Sequence, residues 1–156
     1  MDKLKNQDFL AFRVDKISPD IFSRSVQKIN LDQLPEGDVT VKVQYSGLNY
    51  KDALSAFGRP GVTRNYPHTP GIDASGIVVH SKTTDFQIGQ EVIVSSYDLG
   101  MDTDGGFGQY IRVPQTWVVP LPQGMSLRES MIAGTAGLTA AQAVWSLLEA
   151  GQKPES

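Results

Sequence analysis

Tyr45-Ser46-Gly47-Leu48-Asn49-Tyr50-Lys51-Asp52, read together with Pro70-Gly71-Ile72-Asp73-Ala74-Ser75-Gly76, decides how this chain is read. The first stretch closes an alternating run, Val39-Thr40-Val41-Lys42-Val43-Gln44-Tyr45, whose period of two is that of a half-buried strand. Asn49 then stands where a helix N-cap is expected, because its short amide accepts from a free backbone N–H. A strand that turns into a helix beside a second glycine-bounded stretch makes one wall of a cleft.

Outward from this wall, Phe9-Leu10-Ala11-Phe12-Arg13-Val14 also alternates, and Leu34-Pro35-Glu36-Gly37-Asp38 supplies turn chemistry, so the N-terminal part reads as strand, loop, strand. Gly76-Ile77-Val78-Val79-His80, Glu91-Val92-Ile93-Val94-Ser95, Gln109-Tyr110-Ile111-Arg112-Val113 and Thr116-Trp117-Val118-Val119-Pro120 are further β-rich runs. Short strands separated by Gly, Asp and Pro breaks predict a barrel or sandwich, so the fold class is mainly β with a few helices. Beyond Gly124 the pattern changes. Ser126 with Glu129 has the spacing of a capping box, and a second helix is expected from about Leu138 to Glu149, with Gly151 as its stop.

The 156 residues are enough for one compact domain. A net charge of −3 with no extended Lys/Arg cluster argues against a nucleic-acid partner. With no cysteine there is no disulfide, thiolate nucleophile or sulfur-ligated zinc, and a reducing, cytoplasmic location is expected. The charged N-terminus reads as neither signal peptide nor membrane span. Gly105-Gly106-Phe107-Gly108 fails as a dinucleotide loop, since the fingerprint from Gly106 needs glycine where Ile111 stands; a glycine turn entering a strand is the reading. His68 and His80 lack ligand spacing, so no metal site is expected; His80 reads as a surface residue and His68 as a loop residue at the cleft rim.

The order and spacing of Ser46 to Asp52, Pro70 to Gly76, Phe86-Gln87-Ile88-Gly89-Gln90-Glu91-Val92, Gly105 to Tyr110 and Gly134-Thr135-Ala136-Gly137-Leu138-Thr139-Ala140-Ala141 resemble the medium-chain dehydrogenase/reductase superfamily. Within it, the Leu48 to Asp52 and Gly134 to Ala140 forms resemble the zinc-independent, quinone oxidoreductase-like branch with acrylyl-CoA reductases. The resemblance implies a GroES-like, partly open β-barrel catalytic domain over residues 1–125, a helical connector over 126–150 and a linker or end over 151–156. It also implies a Rossmann domain for NADPH, which the 156 residues lack, so they would hold half of a site and be inactive alone. C-terminal segments that complete the barrel in relatives are missing too, which predicts uncovered apolar surface. The full-length enzyme would be a possible homodimer.

By the same resemblance, the catalytic-metal positions of zinc relatives fall on Asn49, Ile72 and Thr135, a set without a competent zinc shell. Asn49 would face nicotinamide and substrate, or simply cap the next helix. Asp52 would orient that amide as a supporting carboxylate, or favour the helix N-terminus electrostatically. Tyr50 would contact the cofactor or be an ordinary half-buried aromatic, and Thr139 would contact it or be a small packing residue of the helix; Arg59 and Arg64, flanking a Gly/Pro loop, would be solvated loop arginines or meet the phosphates of a CoA thioester. Hydride transfer to a conjugated carbon–carbon double bond, in an enoyl thioester such as acrylyl-CoA or in a quinone-like acceptor, leaves an enolate that neutral donors can stabilise without zinc. The competing expectation is a stand-alone GroES-like binding module without turnover.

Overall fold

The computed structural model describes residues 6–153. β1 (Asp8–Ser18) and β2 (Ile21–Asn30) form an antiparallel ribbon whose register runs from Asp8 opposite Asn30 to Ser18 opposite Ile21. The expected strand, loop, strand is therefore corrected: a second full strand lies within the expected loop. Its sequence is hard to read because, apart from Ile29, no residue of β2 is fully buried, so its outer positions carry no clean alternation. What makes it a strand is pairing with β1, a tertiary contribution.

β3 (Val39–Ser46), β4 (Asp73–Ser81), β5 (Glu91–Ser95), β6 (Tyr110–Val113) and β7 (Val118–Pro120) form one antiparallel sheet in the order β6-β3-β4-β5-β7. The sheet does not close on itself, which agrees with the expected mainly β, partly open architecture. Val39, Val41, Val78, Val92, Val94, Ile111 and Val113 are almost wholly buried in its core. Each such side chain contributes roughly 1.5–3 kcal/mol relative to exposure. Phe9, Ala11, Ile29, Leu31, Leu34 and Tyr110 form a second cluster beneath the ribbon. The ribbon is tied down where Phe12 N–H donates to the Phe107 carbonyl at 2.9 Å and Val14 pairs with His68.

The expected strand at 116–120 is shorter than its sequence suggested. Gln115–Trp117 is a 3₁₀ turn closed by Trp117 N–H on the Pro114 carbonyl, and only Val118–Pro120 pairs with β5. Pro114, with its φ locked at −58°, starts the turn.

α1 (Tyr50–Ala56) follows β3 directly. α2 (Leu127–Glu149) begins with the expected capping box, Ser126 and Glu129 each accepting from the other's backbone N–H. The two expected helices are both present within α2, meeting at a kink at Gly134, whose φ of 51° and ψ of −161° are non-helical and suit a residue without Cβ; the second begins a few residues earlier than Leu138. Before the break Leu127, Ser130 and Met131 are buried against the sheet; after it Leu138, Val144, Trp145, Leu147 and Leu148 are all at least half exposed.

By length and composition α2 is also apolar enough to cross a membrane. Its uninterrupted part, residues 135–149, spans about 22 Å, short of a hydrocarbon core of about 30 Å.

Candidate functional site

The wall read from the sequence is built at the junction of β3, α1 and the start of β4. Asn49 leaves the strand in extended conformation and caps α1, its Oδ1 accepting from Lys51 N–H at 3.1 Å. Asp52 completes the box from the other side: its Oδ2 accepts from Asn49 N–H at 2.7 Å. The same carboxylate reaches across the wall, Oδ1 accepting from Gly71 N–H at 3.1 Å and Ile72 N–H at 3.0 Å. One buried side chain, 3% exposed, thus staples the two diagnostic stretches to each other. Burial pushes the Asp52 carboxyl above its ordinary value of 3.8, against the opposing pull of its three backbone donors.

Beside it lies a second buried carboxylate to which the sequence reading attached no role. Asp73, 2% exposed, accepts from Thr135 N–H at 3.0 Å and from Thr135 Oγ1 at 2.6 Å, which caps the part of α2 beyond the Gly134 break. The signal was available: an acid inside the run from Gly71 to Val79, apolar but for Asp73 and Ser75, needs a partner if it is buried. Its partner lies 62 residues away, so only the fold reveals it. Ser96 Oγ lies 3.3 Å from Thr135 Oγ1, and Ser96 and Tyr97 both take positive φ, 66° and 52°. Tyr97 thereby stacks on Trp117, ring centroids 5.3 Å apart. The pair borders an apolar groove of about 620 Å³, lined also by Ile93, Val119, Leu138 and Ala141.

The former metal positions are therefore Asn49, whose Oδ1 is committed to the cap, Ile72, which is buried and has no lone pair, and Thr135, whose hydroxyl donates a hydrogen bond to Asp73. This donor set does not suit zinc. Among the described residues no three His, Cys, Asp or Glu side chains cluster as metal ligands.

Tyr50 stands on the first turn of α1, 76% exposed and free to meet a ligand. Thr139 lies one helical turn beyond Thr135 and donates to the Thr135 carbonyl at 2.8 Å from an exposed position. Arg64 is exposed, with its Nε donating to Asp102 Oδ2 at 2.7 Å, and Arg59 is exposed as well.

His68 is not a rim residue. It is 2% exposed, bridges to Val14, and its Nε2 lies 2.9 Å from the Gly100 carbonyl. Desolvation lowers its pKa below 6.5. Next to it Arg13 donates to Asp104 at 2.6 Å, a pairing that holds the 98–106 loop against the ribbon. His80 is half-buried near the end of β4 rather than fully on the surface. The glycine turn is as read: Gly105, Gly106 and Phe107 donate to the carbonyls of Thr69, Gly71 and Pro70. A Cβ on Gly71 would sit 2.7 Å from two of these backbone nitrogens, which is why the approach needs glycine.

Residues 35–123, more than half of the chain, match the alcohol dehydrogenase GroES-like domain. The chain belongs to this family. GroES-like relatives include the Bacillus subtilis protein YhfP, named as a quinone oxidoreductase, 46% identical over 94% of this chain and 44% of its own length. Its solved structure with NAD bound superposes at a TM-score of 0.90 over 96% of this chain and 45% of that one. The acrylyl-CoA reductase AcuI of Ruegeria pomeroyi is 42% identical over 83% of this chain and 39% of its length. The Salmonella enterica yhdH oxidoreductase, solved in complex with NADP, gives a TM-score of 0.89 at 42% identity, covering 94% of this chain and 45% of that one. This GroES-like chain thus spans less than half the length of the relatives it matches, and the resemblance to the quinone oxidoreductase-like medium-chain branch holds over that span.

Proposed function

We propose that this chain is the catalytic-domain part of an NADPH-dependent, zinc-independent reductase of a conjugated carbon–carbon double bond or quinone-like acceptor. The observation that carries the reading is the Asp52 staple, which holds Asn49 and Tyr50 at the head of α1 against Gly71 and Ile72. The staple's own backbone donors are taken by Asp52, so the group it holds ready is the side-chain amide N–H of Asn49, and a donor fixed in this way favours charge that develops on a substrate oxygen without reorganising. The relatives' names and their bound NADP and NAD support the nicotinamide partner. The cofactor supplies the hydride when bound.

In this reading Asn49 is the catalytic side chain at the acceptor, and Asp52 is its positioning residue, since its oxygens are already taken by three backbone N–H groups. Tyr50 presents an exposed ring to the cofactor, and Thr139 approaches it from α2. Residues 1–125 form the catalytic domain, 126–150 the connector to a cofactor domain and 151–156 a linker; 1–5 and 154–156 lie outside the described residues. The exposed apolar face of α2 after Gly134 is then a docking face for the rest of a longer polypeptide rather than a membrane span. We propose a cytoplasmic enzyme, homodimeric when complete, that binds neither nucleic acid nor membrane.

The test joins this chain to the cofactor-binding part of the Bacillus relative and follows NADPH oxidation with acrylyl-CoA and with a quinone. Turnover with either acceptor, lost in Asn49→Ala, is the expected result. No turnover by a folded fusion that binds NADPH would favour the binding-module reading.

A further inference from the structure

Beyond Gly134, α2 takes a direction that hydrogen bonding within the helix does not set. In an unbroken helix the Thr135 N–H belongs to the carbonyl of Met131, four residues back. With Gly134 out of helical conformation, that donor goes instead to Asp73 Oδ2 at 3.0 Å, and the Thr135 hydroxyl goes to Oδ1 at 2.6 Å. One donor thus has two possible acceptors, and each belongs to a different course of the chain past residue 134. The buried carboxylate selects the kinked one.

Asp73 is itself held by the wall that carries Asn49. It pairs with Ser95 at the start of β4, its carbonyl accepts from Ser46 Oγ at 2.7 Å, and a Cβ on Gly47 would stand 3.3 Å from both the Asp73 Cβ and the Met131 carbonyl. Its neighbour Ile72 is bound twice, N–H to Asp52 at 3.0 Å and carbonyl to Ser96 N–H at 3.1 Å. Ser96 in turn sets its Oγ 3.3 Å from Thr135 Oγ1, at a φ of 66° that a residue with a Cβ adopts under local strain. A continuous route therefore runs from Asn49 through Asp52, Ile72, Asp73 and Thr135 to Thr139, whose hydroxyl donates to the Thr135 carbonyl at 2.8 Å.

The helix beyond the kink is a lever that amplifies slack at its root. Thr139 lies about 6 Å beyond Thr135 along the axis, and Glu149 about 21 Å. Changing the kink by about 20° moves them by about 2 Å and about 7 Å. A misplacement of about 1 Å can already cost about 10²-fold in rate. We propose that Asp73 is a positioning residue: by capping α2 at Thr135 it fixes the direction of the connector, and with it the placement of Thr139 and the cofactor-binding part relative to Asn49. Both carboxylate oxygens are engaged with Thr135, so the role is geometric rather than acid–base.

The effect on rate rests on the reductase reading, whereas the direction of the connector is measured without turnover. The chain has no cysteine, so Thr84→Cys and Glu149→Cys, both at exposed positions, place two spin labels without competition. Pulsed electron resonance on the labelled 156-residue chain gives one narrow distance with Asp73 in place, broadened or displaced by about 5 Å or more in Asp73→Ala. Asp73→Asn keeps the distance narrow, because its amide oxygen accepts from Thr135 N–H while its NH₂ donates to the Thr135 hydroxyl. In the fusion with the Bacillus cofactor-binding part, Asp73→Ala lowers kcat about 10²-fold at nearly constant KM for the acceptor, and Asp73→Asn restores most of it. Thr135→Val keeps the N–H bond and loses only the hydroxyl bond; it gives an intermediate spread of distances and decides the matter if Asp73→Ala does not fold. A distance unmoved in Asp73→Ala and Thr135→Val, a shifted distance beside an unchanged kcat, or an Asp73→Asn fusion as slow as Asp73→Ala overturns the proposal, the last because charge rather than direction would then be at work. A fusion inactive with Asp73 in place sinks the reductase reading alone, and the distances still decide whether Asp73 sets the direction of the lever.

Discussion

Replacing Asp52 by Asn keeps the shape of the staple and removes its charge. In the wild type three backbone donors converge on the carboxylate, at 2.7, 3.1 and 3.0 Å, and the side chain is 3% exposed. An asparagine oxygen still accepts from Gly71 and Ile72, but its NH₂ meets Asn49 N–H, donor against donor. Losing one charge-assisted bond costs about 1.5–3 kcal/mol, and the relief of burying a charge returns part of it, so a net loss of about 2 kcal/mol is expected at neutral pH. For a chain of this size that lowers Tm by about 4–8 °C.

The pH dependence has a definite sign. Because the folded pKa of Asp52 is raised above 3.8, the native state holds this proton more tightly than the unfolded chain. The wild type's advantage over Asp52→Asn is therefore largest below pH 3.8 and shrinks as pH rises to the folded value. Thermal melts of both proteins from pH 3.5 to 7.5, read by circular dichroism, measure it. Equal melting at neutral pH, or an advantage that grows with pH, would refute the staple.

The other predictions concern neighbouring features. His68, with its pKa lowered by burial, contributes stability that is complete above pH 6.5 and is lost as pH falls toward its folded value; His68→Gln flattens the slope of Tm against pH there. Gly134→Ala forces a Cβ into left-handed φ and to 3.0 Å from Asp73 Oδ2; a loss of about 1–3 kcal/mol in urea unfolding is expected, and an unchanged midpoint would dismiss the break as incidental. Thr135→Val deletes the 2.6 Å bond to a buried carboxylate and lowers stability by about 1.5–3 kcal/mol, with amide exchange fastest just beyond residue 134. Tyr50→Ala, at a 76% exposed position, changes stability by no more than about 0.5 kcal/mol while weakening NADPH binding in the fusion; unchanged affinity would reject the cofactor role.

Much of the fold was legible because the signals were local. The alternation of Val39 to Tyr45, the Asn49 cap and the Ser126–Glu129 box each depend on residues within a few positions of one another, and the structure contains all three. β2 was not legible, since its outward residues are mixed and its partner strand makes it a strand. His68 was misjudged for a similar reason: a histidine between Pro67 and Thr69 reads as loop, and only the Val14 bridge and the Gly100 carbonyl bury it. The site divides in the same way. Asn49 and Asp52 were visible as a motif, whereas Asp73 with Thr135 was not, because 62 residues separate the acid from the helix it caps.

Residue types and short-range spacing alone determined that the chain is mainly β, carries capped helices, and lacks the thiolates and histidine pairs from which a zinc site is usually made. Those properties follow from side-chain chemistry and local backbone preference, which need no distant partner. Only tertiary structure decided that Asp52 ties Asn49 to Gly71 and Ile72 and that Asp73 reaches Thr135. Each of these depends on bringing remote strands to hydrogen-bonding or van der Waals distance, a condition that a one-dimensional pattern does not contain.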